Sequence, residues 1–307
     1  MTERHEREGY TEGLHPKSPG LDARPADELV HLLWEDQLEG LTALKGVLDR
    51  IARVASVFAE VLASGGRVFY VGAGTSGRLA LVDVIELPST FGVDPGLVEV
   101  LFPGEPFSGS AEAEAWEDDL EAGRRKVKEA RVSEGDLVIG ISASGRTPFV
   151  LGALEEAKAR GAATAGITNN PGTPLEALVD HHLVLPTGPE LISGSTRLKA
   201  GTAQKVVLNM LSTAALIRLG RVYDGYMISL RANNEKLKGR ALRALTALSG
   251  RSAKEAEEAL SAADHEVDTA LVMLVGRLPA PEARALLKRY GGNVRKAVES
   301  LRKGGGG

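Results

Sequence analysis

The stretch Val68–Glu86, VFYVGAGTSGRLALVDVIE, decides the fold. It opens with an apolar run typical of a buried strand, passes into the glycine-rich sequence GAGTSG and continues as a helical pattern. A strand, a glycine loop and a helix in this order favour anion binding, because glycines let backbone N–H groups approach a phosphate at the helix N-terminus. The spacing of Gly72, Gly74 and Gly77 also fits the dinucleotide pattern G-x-G-x-x-G. This stretch alone leaves open whether the loop holds NAD or another phosphate.

Short apolar runs and helical patterns alternate around this stretch. The strand-length runs are RVFYVGAG, LVEVLF, DLVIGISAS, AATAGITN and HHLVLPT. They are apolar along most of their length, and helical patterns separate them, so they predict a parallel sheet covered by helices on both faces. The last long helical pattern, residues 202–219, is apolar on nearly all sides. We expect that helix to be central or to lie in a subunit interface.

The two ends of the chain differ from this α/β pattern. The sequence predicts a proline-rich arm followed by a helix in residues 1–50. It predicts the α/β domain in residues 51–244. Residues 245–303 contain short helical patterns with an internal repeat of apolar positions, which predicts a small all-α module. The simplest interpretation is that this module only packs against the rest of the protein. The alternative is that it binds a partner. Residues 304–307 are a flexible glycine tail.

Composition argues against several classes of protein. The 307-residue chain has a formal net charge of −4 and no cysteine, so neither a global positive field for nucleic acid nor thiolate or disulfide chemistry is expected. The polar N-terminus is unlike a secretory signal, and no apolar run reaches the roughly 18 residues of a membrane span. The six histidines show no metal-binding spacing. We therefore expect a cytoplasmic protein without metal, membrane or nucleic-acid partners.

A second loop in the sequence argues against an NAD-binding site at the first one. The sequence SASGRTP, Ser142–Pro148, follows another apolar strand, DLVIGI. A dinucleotide site uses one glycine loop and an acidic residue at the end of the second strand. In this chain the second strand is LVEVLF, and the only residue after it that could be this acidic residue is Glu105. Glu105 lies later in the chain than the dinucleotide pattern requires. NAD would leave the second, hydroxyl-rich loop unexplained.

A phosphorylated ligand accounts for both loops. Their hydroxyls can donate to phosphate oxygens, and their glycines admit the backbone N–H groups. The alternative is that these side chains only cap the helices that follow. Two such loops, each after a buried strand, favour phosphate binding. The hydroxyl residues concerned are Thr75, Ser76, Ser142, Ser144 and Thr147.

The two loops resemble the sugar isomerase (SIS) domain, a flavodoxin-like sheet that binds phosphosugars. More narrowly, the chain resembles the N-acetylmuramic acid 6-phosphate etherase family along most of its length. The most specific match is SGSTRLKAGTAQK, Ser193–Lys205, which simple SIS isomerases and regulators lack. The C-terminal repeat resembles that family's small ubiquitin-associated (UBA)-like domain. The other matching stretches are TEG-x-x-P-x-S from Thr11, VGAGTSGRL, DVIELPSTFG, ISASGRTPFV, ITNNPG and NNEKL.

The resemblance implies an enzyme of the carbon–oxygen lyase type. It would cleave the D-lactyl ether of N-acetylmuramic acid 6-phosphate, giving N-acetylglucosamine 6-phosphate and D-lactate in cell-wall recycling. The family works as a homodimer without metal or organic cofactor. The alternatives are a phosphosugar isomerase, which would lack Ser193–Lys205, and a phosphosugar-sensing regulator, which would usually carry a helix-turn-helix module.

The resemblance also assigns roles to residues. It places the proton-transferring glutamate at Glu86 and a second glutamate at Glu117. Each has an alternative interpretation: Glu86 as a solvated residue at a helix end, and Glu117 as part of an acidic helix face, with its role shifted to Glu114 or Glu121. The predicted substrate- and phosphate-binding residues are Gly74, Thr75, Ser76, Ser142, Ser144, Gly145, Thr147 and Ser195. Arg197, Lys199 and Lys205 could neutralise a substrate anion or could be surface charges.

Overall fold

The computed structural model of the chain describes residues 10–104 and 115–304. Contacts divide the chain into two compact units. The first contains residues 1–84 and 96–212, and the second contains residues 85–95 and 213–307. Within the described ranges, no helix is long and apolar enough to cross a membrane.

The first unit is built on a five-stranded sheet, as the apolar runs predicted. The order is β2-β1-β3-β4-β5 and every pairing is parallel. The chain moves outward from β1 to β2 and then returns to β3 on the other side of β1. The carboxyl ends of β1 and β3 therefore flank the point where the winding reverses, which is where open α/β sheets bind ligands. The strands are β1 Val68–Gly72, β2 Val98–Leu101, β3 Leu137–Ile141, β4 Ala163–Thr168 and β5 His181–Val184.

Helices and short turns surround this sheet. A 3-10 turn at Tyr10–Glu12 and another at Leu21–Ala23 lie in the N-terminal arm. The helices are α1 Ala26–Ala43, α2 Leu48–Ala63, α3 Gly74–Phe91, α4 Leu120–Glu129, α5 Pro148–Ala159, α6 Pro174–Leu178 and α7 Lys199–Arg218. The first eleven residues of α3 and the first fourteen of α7 belong to the first unit, and the remainder of each to the second.

Apolar packing holds α4 and α5 against one face of the sheet. The core there combines strand residues such as Phe69 and Val138 with the α5 residues Phe149 and Leu154, all fully buried. The two helices approach so closely that a Cβ built on Gly123 would lie 2.0 Å from the Phe149 carbonyl oxygen. Close approach of the two backbones therefore requires glycine on α4.

The described residues of the second unit are helical apart from a small hairpin, β6 Val222–Tyr223 with β7 Tyr226–Met227, and an isolated bridge between Arg231 and Glu266. The repeated apolar positions, such as Leu260 and Leu287, share one core, which confirms the predicted all-α module. The boundary differs from the predicted one at residue 244, which would cut α8. That helix buries Ala241 and Leu245 in the same core as the helices after it. The helices are α8 Glu235–Ser249, α9 Ala253–Ala262, α10 Val267–Gly276, α11 Ala280–Arg289 and α12 Val294–Gly304.

Candidate functional site

The two predicted loops lie side by side. β1 and β3 are neighbours, and the last residues of these strands, Gly72 and Ile141, are paired in register. The loops 73–78 and 142–147 therefore leave adjacent strands at the same edge of the sheet. This is the crevice in which open parallel sheets hold phosphorylated ligands.

Glycine geometry shapes the first loop. Gly74 has a φ of +51°, in the left-handed region, and begins α3. A Cβ on Gly77 would lie 2.4 Å from the Gly72 carbonyl oxygen, so the helix could not start this close to the strand with any larger residue. Thr75 is partly exposed at this turn and its hydroxyl has no hydrogen-bond partner among the described residues. That hydroxyl is available to a ligand.

The Ser76 hydroxyl is already engaged. Ser76 is buried and donates to Gln204 Oε1 at 2.9 Å. Its proton is therefore used within the protein, where it ties the turn at the start of α3 to α7.

The second loop is organised around Ser142. This buried hydroxyl lies 2.8 Å from the Thr147 hydroxyl and 3.3 Å from the Ser144 hydroxyl, and it accepts the Gly145 N–H at 3.0 Å. Thr147 precedes α5 but its side chain does not cap that helix. The structure therefore does not support the alternative that the Thr147 side chain serves only to cap α5. Ser144 and Thr147 remain partly exposed and able to meet a phosphate.

Gly145 is required by the loop itself. Its φ is +66°, and an added Cβ would lie 2.4 Å from the Thr173 hydroxyl oxygen. Any other residue here would be strained and would push the loop away from the start of α6.

A buried amide relay joins the two loops, and sequence reasoning missed it. Gln204 accepts from Ser76 of the first loop and donates to Asn169 Oδ1 at 2.9 Å. The Asn169 backbone N–H donates to the Ala143 carbonyl of the second loop at 3.0 Å. Gln204 is 1% exposed, on a helix whose other buried residues are mostly apolar. A lone buried glutamine in such a pattern was the available signal.

The N-terminal arm is tied to the same place. The Thr11 backbone N–H donates to Asn170 Oδ1 at 3.0 Å, and Asn170 Nδ2 donates to the Thr11 hydroxyl at 3.0 Å and to the Ala143 carbonyl at 2.9 Å. The Ser193 hydroxyl donates to the Glu12 carbonyl at 2.9 Å. The arm thus supports both the second loop and the start of the Ser193–Lys205 segment.

Beneath the arm lies a buried ion pair. Lys199 Nζ donates to Asp36 Oδ1 at 2.6 Å, and His15 Nε2 lies 3.5 Å from the same oxygen. The Glu190 carboxylate accepts the N–H groups of Lys199 and Ala200 at 3.0 and 2.9 Å, which caps the N-terminus of α7. Burial raises the pKa of Glu190, while these two donors lower it.

These groups do not fit a metal ion. His15, Asp36 and Glu39 do bring potential ligand atoms within 4.8 Å of one another. His15 Nδ1, however, accepts the Lys17 N–H at 3.1 Å, so the proton of the neutral ring is on Nε2, the atom that faces Asp36. The Lys199 ammonium already occupies the Asp36 carboxylate. The cluster is a protein ion-pair network.

The two predicted glutamates lie in different environments. Glu86 is exposed on α3, within the second unit, and its backbone carbonyl accepts from the Ser89 hydroxyl at 3.1 Å. Glu117 is partly exposed in a 3-10 turn at Trp116–Asp118 of the first unit. A Cβ built on Gly74 would lie 3.7 Å from Glu117 Oε2, so this carboxylate is beside the first loop.

Glu114 and Glu121 are the two alternatives to Glu117 as the second catalytic glutamate. Glu121 lies on α4 and its carboxylate pairs with Arg124. Glu114 lies outside the described residues. Of the two glutamates of this run that the structure describes, Glu117 and Glu121, Glu117 is the one beside the first loop. The catalytic roles of Glu86 and Glu117 stay predictions.

Asp83, one turn before Glu86, was not singled out by the sequence. It is 3% exposed and accepts from Asn209 Nδ2 at 2.9 Å and from the Ser212 hydroxyl at 3.2 Å. Burial raises the pKa of its carboxyl, and these donors and the Lys205 charge act in the opposite direction. Asp83 fastens the first part of α3 to α7 inside the first unit.

Comparison with known proteins agrees with this geometry. Residues 124–214 match the family model of the SIS domain, and residues 50–158 match that of the glucokinase regulatory protein N-terminal SIS domain. A solved structure described as a phosphosugar isomerase involved in capsule formation, from Bacteroides fragilis, is similar in fold. It has a TM-score of 0.50 and 21% identity, covering 66% of this chain and 95% of that chain.

Sequence relatives extend over nearly the whole chain. An N-acetylmuramic acid 6-phosphate etherase of Geobacillus thermodenitrificans is 43% identical, covering 94% of this chain and 98% of the relative. The protein of the same name from Deinococcus radiodurans is 44% identical, with 94% of each chain covered. That of Symbiobacterium thermophilum is 46% identical over 86% of this chain and 88% of the relative.

Proposed function

This chain belongs to the N-acetylmuramic acid 6-phosphate etherase family, and from that premise we propose that it cleaves the D-lactyl ether of N-acetylmuramic acid 6-phosphate. The products are N-acetylglucosamine 6-phosphate and D-lactate. The observation that carries the proposal is the identity with named etherases along nearly the full chain. The pair of hydroxyl-lined loops at the sheet's switch point supports a phosphorylated sugar as substrate.

The phosphate binds at the second loop in this proposal. Ser144 and Thr147 are partly exposed there, and Ser142 orients both hydroxyls while it holds the Gly145 N–H. Gly74, Thr75 and Ser195 meet the remaining polar groups of the sugar. Gln204 keeps the two loops in register, so Ser76 acts through the shape of the first loop.

The chemistry is elimination followed by addition of water. The aldehyde of the open-chain sugar acidifies the proton on C2, and Glu86 removes it as general base. The C3–O bond then breaks, the lactate oxygen takes a proton, and a double bond forms between C2 and C3. Water adds its oxygen to C3, and a proton returns to C2. Glu117, beside Gly74, is the second proton-transferring carboxyl. No step needs a metal or NAD.

The biological setting follows from the same family. We place the protein in the cytoplasm, in the recycling of cell-wall sugar, and as a homodimer. Exposed apolar side chains four residues apart on α1 support a subunit contact: Val30 is 64%, Trp34 67% and Leu38 50% exposed. Such a stripe on a helix is typical of a surface that another chain covers.

Release of D-lactate tests the activity directly. The protein is incubated with N-acetylmuramic acid 6-phosphate in the presence of EDTA and without NAD, and D-lactate is measured. We expect release under these conditions. Release that depends on added NAD, or none from folded protein, contradicts the proposal.

Replacing Ser144 by Ala tests the phosphate site. The substitution removes a donor to a charged phosphate oxygen, which is worth about 1–3 kcal/mol, so KM for the substrate should rise roughly 5- to 150-fold. Ser56→Ala is the control, because that hydroxyl only donates to the Ala52 carbonyl on α2. Unphosphorylated N-acetylmuramic acid should be a very poor substrate. Equal turnover of the two sugars would place the phosphate elsewhere.

A further inference from the structure

The substrate of the proposed reaction carries an anion that the sugar product lacks, the carboxylate of its lactyl group. A cation that binds it would distinguish the etherase substrate from other phosphosugars. Three cations of the Ser193–Lys205 segment are candidates by sequence: Arg197, Lys199 and Lys205. Their surroundings in the structure differ.

Lys199 is not available to a ligand. Its side chain is 1% exposed, and its ammonium forms the 2.6 Å bond to Asp36. The N-terminus of α7 is not available either, because the Glu190 carboxylate accepts the N–H groups of Lys199 and Ala200. Neither this lysine nor the helix end on which it sits can receive a second carboxylate.

Lys205 already forms a hydrogen bond within α7. Its ammonium donates to Asn209 Oδ1 at 2.7 Å, one turn further along the helix. Asn209 in turn donates to the buried carboxyl of Asp83, whose pKa burial raises, and the Lys205 charge opposes that rise. Lys205 thus balances a buried acid of the protein.

Arg197 remains. Its side chain is exposed, and within the described ranges its guanidinium makes no hydrogen bond or ion pair. The backbone that carries it is nevertheless well held. The Gly194 N–H donates to the Thr11 carbonyl, and the Gly201 N–H donates to the Thr196 carbonyl at 2.9 Å. A hydrogen-bonded backbone thus carries a cation that makes no hydrogen bond or ion pair among the described residues.

The same segment contacts the first glycine loop. A Cβ built on Gly201, four residues after Arg197, would lie 3.4 Å from Thr75 Cγ2. Arg197 therefore belongs to the segment that packs against the methyl group of Thr75, the residue whose hydroxyl is proposed to meet the sugar. A guanidinium offers two parallel N–H donors that match a carboxylate, which a lysine cannot do.

We propose that Arg197 is the specificity-determining residue that binds the lactyl carboxylate of the substrate. The assignment rests on the proposed etherase function. It predicts that Arg197 contributes to binding of N-acetylmuramic acid 6-phosphate and contributes little to binding of N-acetylglucosamine 6-phosphate, which has the same phosphate and no lactyl group.

The test compares these two ligands on Arg197→Gln, Arg197→Lys and wild-type protein. For Arg197→Gln we expect kcat/KM for the substrate to fall roughly 10- to 100-fold, the worth of a charge-assisted hydrogen bond. The inhibition constant of N-acetylglucosamine 6-phosphate should change less than about twofold. Arg197→Lys keeps the charge without the planar fork and should be intermediate. Because Arg197 is exposed, the thermal midpoint should stay at the wild-type value.

Arg146→Gln is the matched control. Arg146 is another exposed arginine, in the second loop, so its replacement should change the affinities for the two ligands by the same factor. An equal loss for both ligands in Arg197→Gln, or no loss for either, would overturn the assignment. If wild-type protein releases no D-lactate, the proposed function fails, and calorimetric binding of the two sugar phosphates to the same variants still decides the role of Arg197.

Discussion

The Glu86→Gln variant is expected to release D-lactate about 10²–10⁴ times more slowly than wild-type protein, measured as kcat. Glutamine keeps the size of the side chain and cannot take the C2 proton. Binding of N-acetylglucosamine 6-phosphate should persist, because the proposed phosphate contacts are the hydroxyls of Ser144 and Thr147. Loss of turnover with retained binding would identify a catalytic defect.

Asp83→Asn is not a suitable control for the Glu86→Gln variant. Asp83 shares α3 with Glu86, but its buried carboxyl fastens that helix to Asn209 and Ser212, so its replacement would disturb the fold. Glu60→Gln, an exposed change on α2, is the better comparison. If Glu86→Gln turns over at nearly the wild-type rate, the assignment of the base fails at this position and Glu117 becomes the candidate.

Replacing Lys199 by Met should lower the free energy of unfolding by about 3–5 kcal/mol, the usual effect of removing one partner from a buried ion pair. Asp36 has a side chain only 2% exposed, and its carboxylate would lose the ammonium 2.6 Å away. Its second oxygen already lacks a hydrogen-bond partner, so the loss would be poorly compensated. Urea unfolding followed by circular dichroism gives the value.

A second substitution separates lost pairing from lost packing. Lys199→Met combined with Asp36→Leu removes both charges, and apolar replacement of a buried pair is often neutral or stabilising. The double variant should therefore recover most of the lost stability. Lys17→Met, which breaks the exposed pair with Glu35, should have a far smaller effect. A single variant as stable as wild type, or a double variant as unstable as the single one, would show that the ion pair is not what stabilises this region.

The sheet and its two loops could be predicted from local sequence. Each strand of a buried parallel sheet is apolar along its length, so runs such as DLVIGI identify strands without knowledge of their neighbours. Gly74 and Gly145 could be placed at turns because their loops follow such runs. The same local signals carried the resemblance to phosphosugar-binding domains.

The supporting contacts could not be predicted in this way, because they join residues far apart in the chain. Ser76 and Gln204 are 128 positions apart, and Thr11 and Asn170 are 159 apart. Lys199 looked like any other cation of its segment until its bond to Asp36 was visible. The boundary at residue 244 failed to match the contacts for a similar reason: the apolar face of α8 does not indicate which core it joins.

Deuterium at C2 of the sugar product tests the central claim most directly. The reaction is run in D2O with N-acetylmuramic acid 6-phosphate, EDTA and no NAD, and the products are examined by mass spectrometry and NMR. Elimination through a C2 carbanion predicts D-lactate together with N-acetylglucosamine 6-phosphate that carries deuterium at C2. D-lactate release with the original hydrogen retained at C2 would contradict the elimination mechanism, and absence of D-lactate would contradict the activity itself.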